Sequence, residues 1–280
     1  MLLRLRGWLG CLALMSLSVF AASESEVEFR VGVVPWRAEA VLQQMYQPTL
    51  SLLQEQLQRP VKLYISRDYA DLAERLAAGA IDIAIFGPNG YVDAVSNYGQ
   101  RQVRYLVTVM QPDAYYHSAL IVRQEDSALP LQQLKGSKLG LTDPDSTSGF
   151  LFPRHLLAAE GLSAEADFQL FLLKKHYKIY DALANGAIDV GGANLLELSQ
   201  AEAKYGKRFH IVKKSLPIPE DAVAAGPSLN LEQQRQLVSI LEEAAANPTF
   251  LQQSSLIRGF QARGDAFYDS IRAVRNLVTP

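Results

Sequence analysis

Seven residues, Asp143-Pro144-Asp145-Ser146-Thr147-Ser148-Gly149, place three consecutive hydroxyl side chains and a glycine in one short run. The run follows an apolar stretch that predicts a strand over 138–141 and leads into a pattern that predicts a helix over 150–160. Side-chain hydroxyls and the unpaired N–H groups of a helix start, at the positive end of the helix dipole, can hold an oxyanion such as phosphate without a cation. An ordinary Ser/Thr cap needs one hydroxyl. Three of them with Gly149 exceed that need and favour an anion site. Pro153 falls in or near the first turn, where a missing donor costs least.

Other side chains could join such a site. His176 follows a strand predicted over 168–173, in the basic run Lys174-Lys175-His176. Beside an anion its pKa would rise and favour imidazolium; otherwise it is a solvated loop histidine on a basic rim. In the first half, Gly87-Pro88-Asn89-Gly90-Tyr91 follows a strand predicted over 81–86. Tyr91 there either presents its phenol to a ligand or sits half-buried at a helix start. Tyr46 precedes Gln47-Pro48, where a helix disruption points it toward a ligand or leaves it in the core. His117, His155 and His210 stand at no metal-ligand spacing, so no metal is expected. There is no nucleophile elbow, zincin pair or Walker loop, so no cofactor is expected and enzyme activity is the weaker reading. A serine nucleophile would have His176 as its one candidate base.

The elements that must position these residues alternate. Strands are predicted over 27–34, 61–65 and 81–86, with helices over 38–58 and 69–78; Pro48 bends or splits the first. The second half repeats the scheme with strands over 138–141, 168–173 and 188–190 and helices over 150–160 and 179–184. Short apolar strands between amphipathic helices predict an α/β fold with a mainly parallel sheet in each of two lobes. Ala78-Gly79-Ala80-Ile81-Asp82-Ile83 matches Asn185-Gly186-Ala187-Ile188-Asp189-Val190, 107 residues on. In each copy the glycine suits a left-handed helix stop and the aspartate opens a strand. Asp82 and Asp189 therefore read as structural residues rather than a catalytic pair. Apolar stretches at 105–110 with 119–122, and 210–212 with 222–225, are candidate crossover strands acting as a hinge. Residues 231–278 predict a largely helical return to the first lobe, broken at Asn247-Pro248.

The first residues resemble an export signal: Arg4 and Arg6, an apolar run from Trp8 to Phe20, and small residues allowing cleavage after Ala21. Cys11, the sole cysteine, lies inside it, with lipid attachment there as the lesser reading, so the exported chain would have no disulfide. The expected layout is signal peptide 1–21, first lobe 22–112, second lobe 113–215, and a return to the first lobe at 216–280. The chain carries 27 basic and 29 acidic residues, which argues against nucleic acid. An anionic ligand must then be held by specific donors, because the net field does not attract it.

These segments together resemble the phosphate/phosphite/phosphonate-binding proteins of ABC importers, within the type 2 periplasmic binding protein fold. The matching residues are Val31-Gly32-Val33-Val34-Pro35, Tyr46 with Pro48, Gly79 to Pro88 with Tyr91, Asp143 to Gly149 with Pro153, and His176 with 182–190. The resemblance implies a periplasmic receptor, monomeric, whose lobes close on a small phosphorus oxyanion and deliver it to an ABC permease. By motif it implies that Ser146, Thr147 and Ser148 grip the phosphoryl oxygens. Tyr46 and Tyr91 would contribute from the first lobe and His176 from the second, with Gly149, Asn89 and Asn194 as further contacts. Aminoalkylphosphonate binders of this group place an acidic residue where this chain has Leu196, with Glu197 next to it. That departure leaves phosphate, phosphite or a simple alkylphosphonate. A sensing subunit for a membrane kinase, and an enzyme on the same fold, are the alternatives.

Overall fold

Every strand-helix-strand unit in the chain closes within one of two sheets. The computed structural model describes residues 28–111 and 115–278; the expected signal segment and Cys11 lie outside them. The first lobe opens with β1 (Phe29–Val33), α1 (Glu39–Leu57), β2 (Val61–Ile65), α2 (Tyr69–Ala77), β3 (Ile83–Phe86), α3 (Pro88–Tyr98) and β4 (Arg104–Met110). After the short β5 (Tyr115–Tyr116) come β6 (Ser118–Arg123), β7 (Lys138–Leu141), α4 (Phe152–Ala158), β8 (Gln169–Leu172), α5 (His176–Ala184), β9 (Val190–Asn194), α6 (Leu198–Tyr205) and β10 (Phe209–Lys214). The chain then returns through β11 (Ile218–Pro219) and β12 (Ala222–Ala225) to α7 (Leu231–Glu243), α8 (Pro248–Gln253), β13 (Gly259–Gln261) and α9 (Asp269–Val278).

The strand order is β13-β4-β12-β3-β1-β2 in one sheet and β10-β6-β9-β7-β8 in the other. Strands joined by helices run parallel, β1 with β2 and β3, and β7 with β8 and β9. Strands that carry the chain between lobes enter antiparallel, β12 beside β3 and β4, and β6 beside β9 and β10. Each sheet is therefore mixed, because a strand arriving from the other lobe comes in from the opposite end. Between the sheets, β5 and β11 pair as a two-stranded ribbon.

The repeated motif explains the similarity of the two lobes. Gly79 (φ 72°) and Gly186 (φ 69°) both take the left-handed conformation that stops the helix before a core strand. The Asp82 carboxylate accepts the Arg30 N–H at 2.8 Å, and Asp189 accepts the Lys138 N–H at 3.0 Å. Each ties the third strand of its unit to the first.

Three details depart from the sequence expectation. Helix α1 runs unbroken through Pro48. The strand expected over 188–190 lies at Val190–Asn194, since the parallel pairing with β7 starts only at Val190. The C-terminal stretch contains a strand as well as helices, β13 pairing with the edge of β4. Its helices bury Leu237, Ile240, Leu241, Phe250 and Ile271 in the first lobe's core. Among the described residues, no helix is long and apolar enough to cross a membrane.

Candidate functional site

Strand β7 ends at Leu141, and Thr142 then packs directly under Gly149. A Cβ on Gly149 would lie 2.0 Å from Thr142 Oγ1, so only glycine lets the helix start come down on the strand end. The Thr142 N–H donates to the Gly149 carbonyl at 2.9 Å. Residues Thr147–Leu151 form a wide first turn before α4, capped by the Ser146 hydroxyl, which accepts the Gly149 N–H at 3.2 Å. Ser146, Thr147 and Ser148 are buried yet line a cavity between the lobes. The segment does cap a helix, as the plainer sequence reading had it, and it also faces a cavity.

His176 and Asn194, the first residue of α5 and the last of β9, line the same cavity. His176 Nε2 lies 3.2 Å from Ser146 Oγ. The turn before it is held by Lys174, left-handed at φ 68°, and by two lysine contacts, Lys174 to Asp143 at 3.4 Å and Lys175 to the Pro35 carbonyl at 2.9 Å. Burial, reinforced by Arg37, lowers the His176 pKa to about 4. Without a ligand the ring is thus neutral, because desolvation outweighs anything the described surroundings offer a positive charge; the imidazolium expected from sequence is that of His176 beside an anion. Its Nδ1 is buried with no hydrogen-bond partner among the described residues.

The rest of the lining is Tyr69, Tyr116, Gln111, Glu220 and Asp221, with Val34, Trp36 and Leu196 as apolar wall. Ser146 hydrogen-bonds Tyr69 and Thr147 hydrogen-bonds Tyr116. Burial pushes both phenols well up, so both remain O–H groups. The Gln111 amide donates to Glu220 at 2.9 Å, leaving its own carbonyl oxygen buried and unpartnered. Burial also pushes the Asp221 carboxyl up to about 7.

The first-lobe tyrosines expected from sequence are not in this wall. Tyr91 belongs to the first turn of α3, which turns its ring into the core against Tyr105 and Tyr268, and its hydroxyl donates to Asp265 at 2.6 Å. Tyr46 is buried behind the wall, where its hydroxyl bonds the Trp36 indole. Asn89 stands one layer back. Its backbone N–H donates to Thr147 Oγ1 at 2.8 Å and its side chain to the Asp145 carbonyl at 3.1 Å, so it joins the lobes without lining the cavity. Gly149 supports the turn from below. Tyr69, missed by local reading, begins α2 as His176 begins α5, and the two positions are 107 residues apart, the spacing of the Gly-Ala-Ile-Asp repeat.

The cavity measures about 40 Å³, room for roughly three water-sized groups. No lysine or arginine lines it among the described residues. Neutral O–H donors together with carboxyl groups suit a compact anion that can itself bring a proton. Among the described residues, no cluster of side chains could hold a metal ion.

A family model described as "ABC transporter, phosphonate, periplasmic substrate-binding protein" matches residues 31–268. Over 174 residues the chain is 30% identical to the phosphate-import protein PhnD of Mycolicibacterium smegmatis, covering 58% of this chain and 54% of that protein. Over 214 residues it is 27% identical to the phosphonates-binding periplasmic protein of Escherichia coli K12, covering 74% of this chain and 63% of that one. The match thus spans less than two thirds of either relative. Its fold matches the crystal structure of a binding protein component of an ABC phosphonate transporter from Pseudomonas aeruginosa, with a TM-score of 0.80 at 23% identity, over 90% of this chain and 86% of the other.

Proposed function

The chain belongs to the family of periplasmic phosphonate-binding proteins of ABC transporters, and from that premise we propose that it captures a small phosphorus oxyanion between its lobes and hands it to a membrane permease. The observation that carries this reading is the interlobe cavity lined by Ser146, Thr147 and Ser148 with Tyr69, Tyr116 and His176. Burying an anion is costly unless nearly every oxygen meets a donor. Hydroxyls and phenols supply those donors, and the amides of the turn add more. The units that move are the lobes expected from sequence, 22–112 with 216–280 against 113–215, hinged at the ribbon of β5 and β11. Ligand favours the closed form because only there do both lobes touch it. The protein works as a monomer, exported after cleavage near Ala21.

Leu196 supports a ligand without an amine. Its side chain lines the cavity, and the neighbouring Glu197 carboxylate accepts from Arg37 at 2.6 Å instead of facing the ligand. The small cavity and its Leu196 wall favour phosphate, phosphite or methylphosphonate over a longer aminoalkyl chain. A thermal-shift panel of these three with aminoethylphosphonate and sulfate tests the reading. At 100 times its dissociation constant a true ligand adds about 2.7 kcal/mol of stability. Calorimetry on the Ser146→Ala/Thr147→Ala double variant should show binding weakened by about 2–4 kcal/mol, since charge-assisted hydrogen bonds contribute about 1.5–3 kcal/mol each. Unchanged affinity, or no stabilisation by any phosphorus oxyanion, overturns it.

A further inference from the structure

At the edge of the cavity, the segment Pro35-Trp36-Arg37 of the first lobe is gripped by the second. Arg37 Nε donates to Glu197 Oε1 at 2.6 Å and Nη2 stands 2.5 Å from the same oxygen. Both side chains are nearly buried, at 12% and 5% exposure. The guanidinium carbon lies 4.4 Å from the centre of the Trp36 ring. The same ring meets His176 edge-on, at 6.2 Å and 83°. The Pro35 carbonyl accepts from Lys175 of the second lobe at 2.9 Å. Trp36 is thus a panel of the cavity wall fixed from behind by an ion pair that spans the two lobes.

We infer that Arg37 and Glu197, which do not line the cavity, form the latch that holds Trp36 in place and sets how fast ligand leaves. The inference rests on the receptor reading above. When the lobes part, Arg37 and Glu197 separate and each is exposed to water. When they close, both charges lose water and recover it only through each other, so the pair adds little net stability while the loss of one partner strands the other. Removing one charge therefore disfavours closure strongly, and removing both restores it. Arg37 acts on the ligand only through Trp36 and is a positioning residue.

Residues 28–278 contain every element described, and in the exported form expected from sequence Trp36 is the sole tryptophan, since the only other is Trp8. Its emission reports on the latch directly. Stopped-flow release of methylphosphonate and of inorganic phosphate should be on the order of a hundredfold faster in Glu197→Leu, with the association rate nearly unchanged. Arg37→Lys, which keeps the charge but loses the flat stack on Trp36, should be faster by about tenfold. The double variant Arg37→Met/Glu197→Leu, which also loses the stack, should return to within about tenfold of the parent. Acrylamide quenching of Trp36 should follow the same order in protein saturated with these ligands, and melting temperatures of the ligand-free variants establish that each is folded. Release rates within threefold of the parent in Glu197→Leu, or a double variant as fast as that single one, overturn the latch. If the parent binds neither anion, the receptor reading falls. The latch, which acts only on a bound ligand, falls with it.

Discussion

At their strand-opening aspartates the two lobes are near copies. Asp82 exchanges hydrogen bonds with the Arg30 backbone, and Asp189 does the same with Lys138. At the cleft end of each sheet they diverge. The position 107 residues before His176 is Tyr69; both begin a helix, both reach Ser146, and one is an imidazole while the other is a phenol. The loop after β7 carries three hydroxyls, whereas the loop after β1 carries Trp36 and Arg37. The difference teaches that the scaffold ends of the strands are bound by backbone geometry, and the cleft ends only by what must face the ligand. One architecture thus supplies a hydroxyl-rich turn from one lobe and a phenol with an aromatic wall from the other.

The largest expected effect tests the scaffold half of that comparison. Asp82 is the more deeply held aspartate, at 10% side-chain exposure with Ser228 as an additional donor at 2.9 Å, against 33% for Asp189. Asp82→Ala should cost about 3 kcal/mol of stability and Asp189→Ala about 1.5 kcal/mol, because stranded buried donors cost more than exposed ones. Chemical denaturation measures both. Ligand affinity should be unchanged in either variant, and a binding defect larger than tenfold in a folded Asp189→Ala protein would show that these residues are more than structural.

How far the site could be read from sequence follows the same divide. Ser146-Thr147-Ser148-Gly149 was legible because strand end, turn and helix start are contiguous, so local chemistry implies placement. His176 was legible for the same reason, though its neutral state was not, since that depends on burial by residues far away in the chain. Tyr116 and Asp221 were not legible. They lie at or beside β5 and β11, two-residue strands too short to show any periodicity. Tyr91 misled because a tyrosine after a strand and a Gly-Pro turn reads as cleft-facing. Its actual partner, Asp265, lies 174 residues away. Tyr69 was within reach, since applying the repeat spacing to His176 lands on it.

A smaller effect separates the two sides of the cleft by pH. Asp221 is raised from 3.8 to about 7 by burial. Between those values the unfolded chain has released the proton that the folded one retains, so stability falls as pH rises through that window and then levels off. His176 is lowered from 6.5 to about 4. Its unfolded form binds a proton that the folded form refuses, so stability rises with pH over that range. The two slopes oppose one another in the parent. Burial raises Asp145 as well, to about 6, so the histidine contribution is exposed in Asp145→Asn/Asp221→Asn, where the melting temperature should climb from pH 4 to 6.5. In His176→Gln it should instead decline from pH 4 to 7. Each amounts to about 2 kcal/mol after allowance for water in the cavity. Parallel profiles in the two variants would contradict the opposed linkage.

The smallest effect sharpens the equivalence of Tyr69 and His176. If both serve the ligand through Ser146, Tyr69→Phe and His176→Gln should each weaken binding by about 1 kcal/mol, the contribution of one hydrogen bond. Groups that share a partner are not additive. In a Ser146→Ala background, each replacement should therefore cost only a few tenths of a kcal/mol more. Calorimetry across the eight combinations yields the coupling directly. Full additivity would mean that the phenol and the imidazole contact the anion independently, each from its own lobe, and that their shared place in the repeat is architectural alone.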